Sequence, residues 1–409
     1  MAGWIGREIV VGSRRVALAS LGAAMLGPCV LPAWAADDIK IGQTTAYSGP
    51  FSAWSNSGKV QAGYFQMINE QGGVNGHKIS FISLDDAYSP PKTVEQTRKL
   101  VESDEVLFLL SSLGAASNTA VQKYLNARKV PQLFVQSGAA KWADPENYPW
   151  TMGWMPSFAN EGAIYARYIR ATMPDARIAV FYQNDDFGKD YLRGFELALG
   201  DKASSLIVAR ASYLSTDPTI DSQIVQLKAS GANVLFNASS PKFAAQSIRK
   251  VHELGWKPTQ FLVAPSAIVN TVMKPAGAEA STGVISANYL KDPGNATFAA
   301  DPGVRDYRAF IAKYAPGVDP EDSNGIWGYS AVQTAVQVLR QCGDDLSRDN
   351  IMKQAASLKN LELPMLLPGI KINTGSTDYR PIEEEQMMKF DGQQWQFFGE
   401  LQNGALPAN

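Results

Sequence analysis

The chain has 409 residues, 45 % of them hydrophobic, with 37 basic and 39 acidic side chains and a formal charge of −2. A balance that mild gives no reason to expect nucleic acid or an anionic membrane surface as a partner. Two cysteines and two histidines are too few for a disulfide framework and offer little to a metal.

Arg7, Arg14 and Arg15 precede an apolar run over residues 16–30, and Ala33-Trp34-Ala35 ends it. That order predicts a secretory leader cleaved near Ala35, with an apolar core too short to span a bilayer. Arg14-Arg15 after Ser13 also fits a twin-arginine signal, although Ala17 stands where a Phe is expected. Cys29 follows Pro28 instead of the small residue that a lipid-anchor signal wants, so it is read as unmodified and removed. Cleavage leaves 374 residues with 34 basic and 38 acidic side chains, enough for two domains with their own cores. Cys342 is then the sole thiol, so no intramolecular disulfide is expected. No later segment approaches about 18 uninterrupted apolar residues, and the mature chain is expected to be soluble outside the cytoplasmic membrane.

Strands are predicted at residues 39–44, 79–84, 106–110 and 132–135, with helices at 54–70, 91–102 and 117–128 between them. A Trp- and Pro-rich stretch over 142–156 interrupts the pattern, which then restarts. The second set places strands at 178–182, 207–211, 234–237 and 260–263, and helices at 187–199, 219–230 and 241–254. Strands alternating with helices of about 10–15 residues predict parallel sheets covered by helices on both faces. Two successive sets predict two α/β lobes. Near the end, residues 387–390 and 395–398 flank Asp391-Gly392, which reads as a hairpin with a primed turn. The run Glu383-Glu384-Glu385 reads as solvated surface.

The turns carry the specific signals. Gly72-Gly73-Val74-Asn75-Gly76 follows an amphipathic helix, Asp85-Asp86 closes the second strand, and Pro90-Pro91 opens a helix. Gln183-Asn184-Asp185-Asp186-Phe187-Gly188, after the strand ending at Tyr182, is neither a dinucleotide fingerprint nor a P-loop.

At these residues the chain resembles the periplasmic solute-binding proteins of branched-chain amino-acid-type ABC importers. The resemblance rests on the order and spacing of several pieces. These are Ile39-Lys40-Ile41-Gly42, Ser48-Gly49-Pro50-Phe51-Ser52-Ala53-Trp54, Ile68-Asn69-Glu70, the Gly72 to Gly76 turn and Asp85-Asp86. Val130-Pro131, Asn184 to Gly188 and Thr216-Asp217-Pro218-Thr219 continue it. It implies a type I periplasmic-binding fold of two Rossmann-like lobes joined by three hinge crossings. Lobe 1 would comprise residues 36–157 and 287–365, and lobe 2 residues 158–286 and 366–409, after the leader at 1–35. A small ligand would lie in the cleft, and an ABC permease complex in the inner membrane would receive it. The protein is expected to be a periplasmic monomer without cofactor or nucleic-acid partner.

The resemblance also implies contacts. Gly114, Ala115, Ala116 and Ser117 join a strand to a helix start, where backbone amides can meet a ligand carboxylate; the bland alternative is an ordinary helix cap. Gln136, Ser137, Gly138 and Ala139 follow the next strand, where the family donates hydroxyl and backbone contacts; Gly138 replaces the family's Thr and leaves Ser137 as the nearest hydroxyl. Trp54, Trp154, Phe187 and Tyr329 are aromatic wall candidates, with hinge or core packing as the alternative. At Ser266 the amino-acid-binding relatives place a carboxylate for the ligand ammonium, and no acidic residue lies between Glu253 and Glu279. Burying an ammonium without a countercharge is costly. Either Asp185 or Asp186 substitutes, or the ligand lacks an ammonium. The second reading favours an aromatic or other apolar acid over a branched-chain amino acid.

Signals for catalysis are weak. His77 and His252 are 175 positions apart, and no nucleophile elbow is present, since Ala331 follows Ser330 in Gly328-Tyr329-Ser330-Ala331. Asp85-Asp86 can pass for a carboxylate pair, but adjacent residues at a strand end point apart. The sequons at Asn237 and Asn295 carry little weight beside a bacterial-type leader. The sequence therefore reads as a binding protein, not an enzyme, with a sensory binding protein and a secreted hydrolase as rivals.

Overall fold

The computed structural model describes residues 38–406, all within one compact unit, Ala36–Asn409. The expected leader, with Arg14, Arg15 and Cys29, lies outside the described residues.

The first sheet contains β1 (Ile39–Thr45), β2 (Ile79–Asp85), β3 (Phe108–Leu110), β4 (Gln132–Val135) and β5 (Thr151–Gly153), in the order β2-β1-β3-β4-β5 and parallel throughout. The second contains β6 (Ile178–Gln183), β7 (Ile207–Tyr213), β8 (Val234–Ala238), β9 (Thr259–Leu262), β10 (Ile285–Asn288), β11 (Glu384–Phe390) and β12 (Trp395–Asn403). Its order is β12-β11-β10-β9-β8-β6-β7, with only the β10/β11 and β11/β12 pairs antiparallel. Continuous burial along β4 and β8 follows from helices covering both faces.

The longer helices are α1 (Asn56–Glu70), α2 (Pro90–Arg98), α3 (Ala115–Ala127), α4 (Phe158–Thr172), α5 (Asp186–Leu199), α6 (Asp221–Ala229) and α7 (Pro241–Glu253). After β10 come α8 (Pro302–Tyr314), α9 (Ser323–Cys342) and α10 (Arg348–Ala355). Each sheet has its own main core. One gathers Ile41, Phe65, Trp154, Tyr307, Trp327 and Ile382, the other Tyr165, Ile178, Phe236, Phe261 and Trp395. The fold is thus the two-lobed α/β architecture that the alternation predicts. In each sheet the strand order reverses beside the first strand, β1 or β6, which leaves a crevice at the carboxyl ends.

Several elements depart from expectation. Helices α4, α8 and α10 and strands β5 and β10 were not predicted, and the helix that the sequence places over 329–339 already begins at Ser323 as α9; β5 and β10 lack a run of large apolar residues, and α4 follows a Trp- and Pro-rich stretch that masks its start. The helix predicted over 91–102 ends at Arg98 and widens into a π-type turn, Lys99–Ser103. The hairpin exists, but residues 391–394 form its loop, because the Asp391 carboxylate accepts from the Gln393 and Gln394 amides at 2.8 and 2.9 Å. The acid run is not uniformly solvated: strand alternation in β11 turns Glu385 inward to 1 % exposure.

Helices α4 and α5 approach backbone to backbone. A Cβ on Gly194 would sit 2.0 Å from the Ala159 carbonyl oxygen, and one on Gly162 would sit 2.5 Å from that of Tyr191. This contact sets the two helix starts side by side, so the Phe158 and Phe187 rings meet edge to face at 5.1 Å. Gly194→Ala is expected to destabilise the protein by about 1–3 kcal/mol through overpacking, measured by denaturant unfolding.

Candidate functional site

A cavity of about 40 Å³ lies between the crevices of the two sheets. From the first lobe it takes Trp54 and Tyr88, which follow β1 and β2, the Leu113-Gly114-Ala115 start of α3, and Gln136-Ser137 after β4. Phe158, Phe187 and Pro265 face them from the second lobe; Met155 and Asn324 complete the lining. No charged side chain lines it. Its wall is aromatic: Trp54 and Phe187 rings are 5.8 Å apart across the cleft, and Phe51 stacks on Tyr88 at 4.1 Å behind them.

Polar bonds hold the lobes in this closed arrangement. Trp54 Nε1 donates to the Pro265 carbonyl at 2.9 Å. Asp186 on α5 accepts from Lys141 Nζ at 2.7 Å and from Thr119 Oγ1 of α3 at 2.8 Å. Burial opposes ionisation of Asp186, but those partners outweigh it and hold its carboxyl below the usual range. Asn270 donates to the Asp319 carboxylate farther out.

The helix starts at the cavity differ in one respect. Asp185 caps α5, accepting from Phe187 N at 3.0 Å, and Asp322 caps α9, accepting from Asn324 N at 2.8 Å. Helix α3 has no side-chain cap; its N-cap is Gly114 at φ 95°. Its first amides therefore keep hydrogen-bonding capacity and the positive end of the helix dipole toward the cavity. Glycine is required there, since a Cβ would sit 2.4 Å from the Tyr88 ring. Gln136 is fixed by Ser57 Oγ at 2.6 Å and by the Trp54 carbonyl at 3.0 Å. Tyr88, at φ 59°, has its phenol pushed well above the ordinary range by burial and by nearby Asp185.

Of the residues expected at the site, the fold brings together Trp54, Gly114, Ala115, Gln136, Ser137 and Phe187. The others lie outside this cavity for identifiable reasons. Ala116 is one step along α3, and Ser117 is buried against Thr93 Oγ1 at 2.9 Å. Gly138 accepts from Phe158 N at 2.6 Å, and a Cβ there would strike the Pro156 carbonyl. Ala139 packs in the second core. Trp154 is fully buried in the first core and donates to Thr334 Oγ1 at 2.9 Å. Tyr329 packs among Tyr64, Tyr307 and Phe310. Ser266 is buried, its hydroxyl donating to the Ser239 carbonyl at 2.6 Å. Neither Asp185 nor Asp186 lines this cavity, one being a helix cap and the other clasped by Lys141. Tyr88, Met155, Phe158 and Asn324 were not anticipated. For Tyr88 the signal was the Asp85-Asp86-Ala87-Tyr88 turn before Pro90; for Asn324 it was the Asp322-Ser323 helix start.

Asp85 and Asp86 point apart: Asp85 accepts from Ser48 Oγ at 2.7 Å, Asp86 from Thr93 Oγ1 at 2.7 Å. Among the described residues no three His, Cys, Asp or Glu side chains are grouped to hold a metal, and no helix is long and apolar enough to cross a membrane.

The chain belongs to the periplasmic binding protein family, whose model matches residues 38–394. It is 24 % identical over 394 residues to a Leu/Ile/Val-binding protein homolog 7 of Brucella abortus, covering 93 % of this chain and 94 % of that one. A branched-chain amino acid ABC transporter protein of Thermus thermophilus with bound valine superposes with a TM-score of 0.80 at 18 % identity, covering 90 % of this chain and 96 % of that one. A fatty acid ABC transporter substrate-binding protein of Thermomonospora curvata gives 0.75 at 19 % identity, covering 90 % and 92 %. At those identities the structural likeness shows the fold alone.

Gly114→Ala is expected to destabilise the protein by about 1–3 kcal/mol, because alanine must hold a left-handed backbone against the Tyr88 ring. Thermal unfolding measures it; an unchanged midpoint would mean that the turn relaxes freely.

Proposed function

We propose that this protein is the extracytoplasmic substrate-binding component of an ABC importer, capturing a small carboxylate with an apolar body between its lobes. The observation that carries this reading is the uncapped start of α3 opening into an uncharged aromatic cavity. A carboxylate there accepts from α3 amides, while Trp54, Tyr88, Phe158 and Phe187 enclose the apolar part. An aromatic or other apolar acid is favoured over a branched-chain amino acid, since no charged side chain lines the cavity into which α3 opens. Both carboxylate-bearing classes figure among the similar structures: one holds bound valine, and the other is a fatty acid ABC transporter substrate-binding protein.

The chain would be exported, trimmed near Ala35 and work as a periplasmic monomer. Residues 36–157 with 287–365, and 158–286 with 366–409, would act as the two hinged lobes. Closure around ligand gives a membrane permease a distinct shape to dock. Delivery to a sensory receptor uses the same closure and is the second reading. A hydrolase is disfavoured because the cavity holds neither a carboxylate pair nor an activated nucleophile.

Thermal-shift screening against aromatic acids, fatty acids and aliphatic amino acids tests the ligand class. A ligand at about 100 times its Kd adds roughly 2.7 kcal/mol, a shift of a few degrees. Aromatic or fatty acids are expected to stabilise the protein and to be recovered unchanged, and Phe187→Ala should weaken them roughly tenfold, about 1.4 kcal/mol. Stabilisation by leucine or valine alone would overturn the preference.

A further inference from the structure

A second chamber, of about 60 Å³, adjoins the first and shares Met155, Phe158, Pro265 and Asn324 with it. Two carboxylates line it, Glu161 from α4 and Glu385 from β11, and no Lys, Arg or His does. Both are buried, at 3 % and 1 % exposure. Their surroundings differ. Glu161 Oε1 accepts from Tyr165 Oη at 2.6 Å and from Ala264 N at 2.7 Å, and its Oε2 accepts from Tyr191 Oη. Glu385 has no hydrogen-bond partner for either oxygen among the described residues. A buried carboxyl left so is costly unless something outside the chain meets it.

We propose that Glu161 and Glu385 form a subsite for one compact monovalent cation of ammonium type, carried by the cleft ligand as an amine or entering as a free ion. The hydrogen bonds on Glu161 fix it in place, while both Glu385 oxygens remain open to a donor. The chamber has room for a few water-sized groups, since one water needs about 10–15 Å³ measured this way. Two carboxylates match one ammonium or alkali ion better than a divalent metal, for which no third ligand is grouped here. Burial, and then the facing Glu161, push the Glu385 carboxyl well up; burial raises Glu161 to about 7 despite its three donors. Both directions are those of carboxyls lacking a countercharge. The subsite would supply, from the hinge side, the charge that Ser266 does not.

This inference rests on the cleft reading above, and one experiment separates their failures. The purified protein is melted in N-methylglucamine chloride and, at equal ionic strength, in ammonium, potassium or sodium chloride. It is then titrated with phenylalanine and with 3-phenylpropanoate, the same acid without the amine. A free-ion site predicts a midpoint several degrees higher in one of the small-cation salts. A ligand-amine site predicts phenylalanine binding at least tenfold tighter than 3-phenylpropanoate, which would keep the carboxylate site at α3 but reverse the preference for an amine-free acid. Glu385→Gln should abolish whichever effect is seen, while melting at or above wild type in N-methylglucamine because an unpaired buried carboxyl is gone. Binding of both acids with less than a tenfold preference for phenylalanine and no cation effect, or effects that persist in Glu385→Gln, overturns the subsite and leaves the cleft reading standing. A cation effect lost in Glu385→Gln, with neither acid bound, overturns the cleft reading instead. No response to any cation or acid overturns both.

Discussion

Two lobes with separate cores meet across a cleft where aromatic rings face each other and one helix start is left uncapped. Trp54 on one side and Phe187 on the other set the spacing of that cleft. Phe187 is held by the close α4/α5 contact at Gly162 and Gly194, and Trp54 by its indole bond to the Pro265 carbonyl and by the Gln136 amide that donates to the Trp54 carbonyl. The apolar rings favour closure by excluding water, and exclusion of water strengthens whatever polar contact remains inside. The remaining polar feature is the dipole of α3. Asp185 caps α5 and Asp322 caps α9, so of these three helix starts α3 is the one without a side-chain cap.

Charge is sorted by position. The Asp186–Lys141 pair sits at the cleft's half-exposed rim, where an ion pair contributes about 0–1 kcal/mol and mainly orients the lobes. The uncharged cavity lies inside it, and the carboxylates Glu161 and Glu385 line the adjoining chamber. The α3 amides thus border one chamber and the two carboxylates the other, with the aromatic residues lining the space they share.

Much of this was legible in the residues. The β/α alternation gave the parallel sheets because period-2 apolar runs and amphipathic helices follow local rules, and six of the expected contact residues converge on the cavity. What escaped did so for physical reasons. Strands β5 (Thr151-Met152-Gly153) and β10 (Ile285-Ser286-Ala287-Asn288) lack the run of large apolar residues that marked equally short β3 and β4. Trp154 and Tyr329 are aromatic and near the cleft in sequence, yet a buried ring serves a core as readily as a pocket wall. Glu385 looked like one of three solvated acids, and only its place in β11, a strand with a register irregularity between Gln386 and Met388, turns it inward. Glu161 gave no signal, because its partners Tyr165, Tyr191 and Ala264 come together through α4, α5 and the segment after β9.

The most direct test of the account is a crystal structure of the protein with 3-phenylpropanoate, read at the start of α3. The carboxylate oxygens are expected about 3 Å from the Ala115 and Ala116 amides, with the phenyl ring packed against Trp54 and Phe187, whose rings touch at 5.8 Å and part to admit it. A carboxylate bound elsewhere in a closed cleft, with those amides hydrogen-bonded to water, would contradict it.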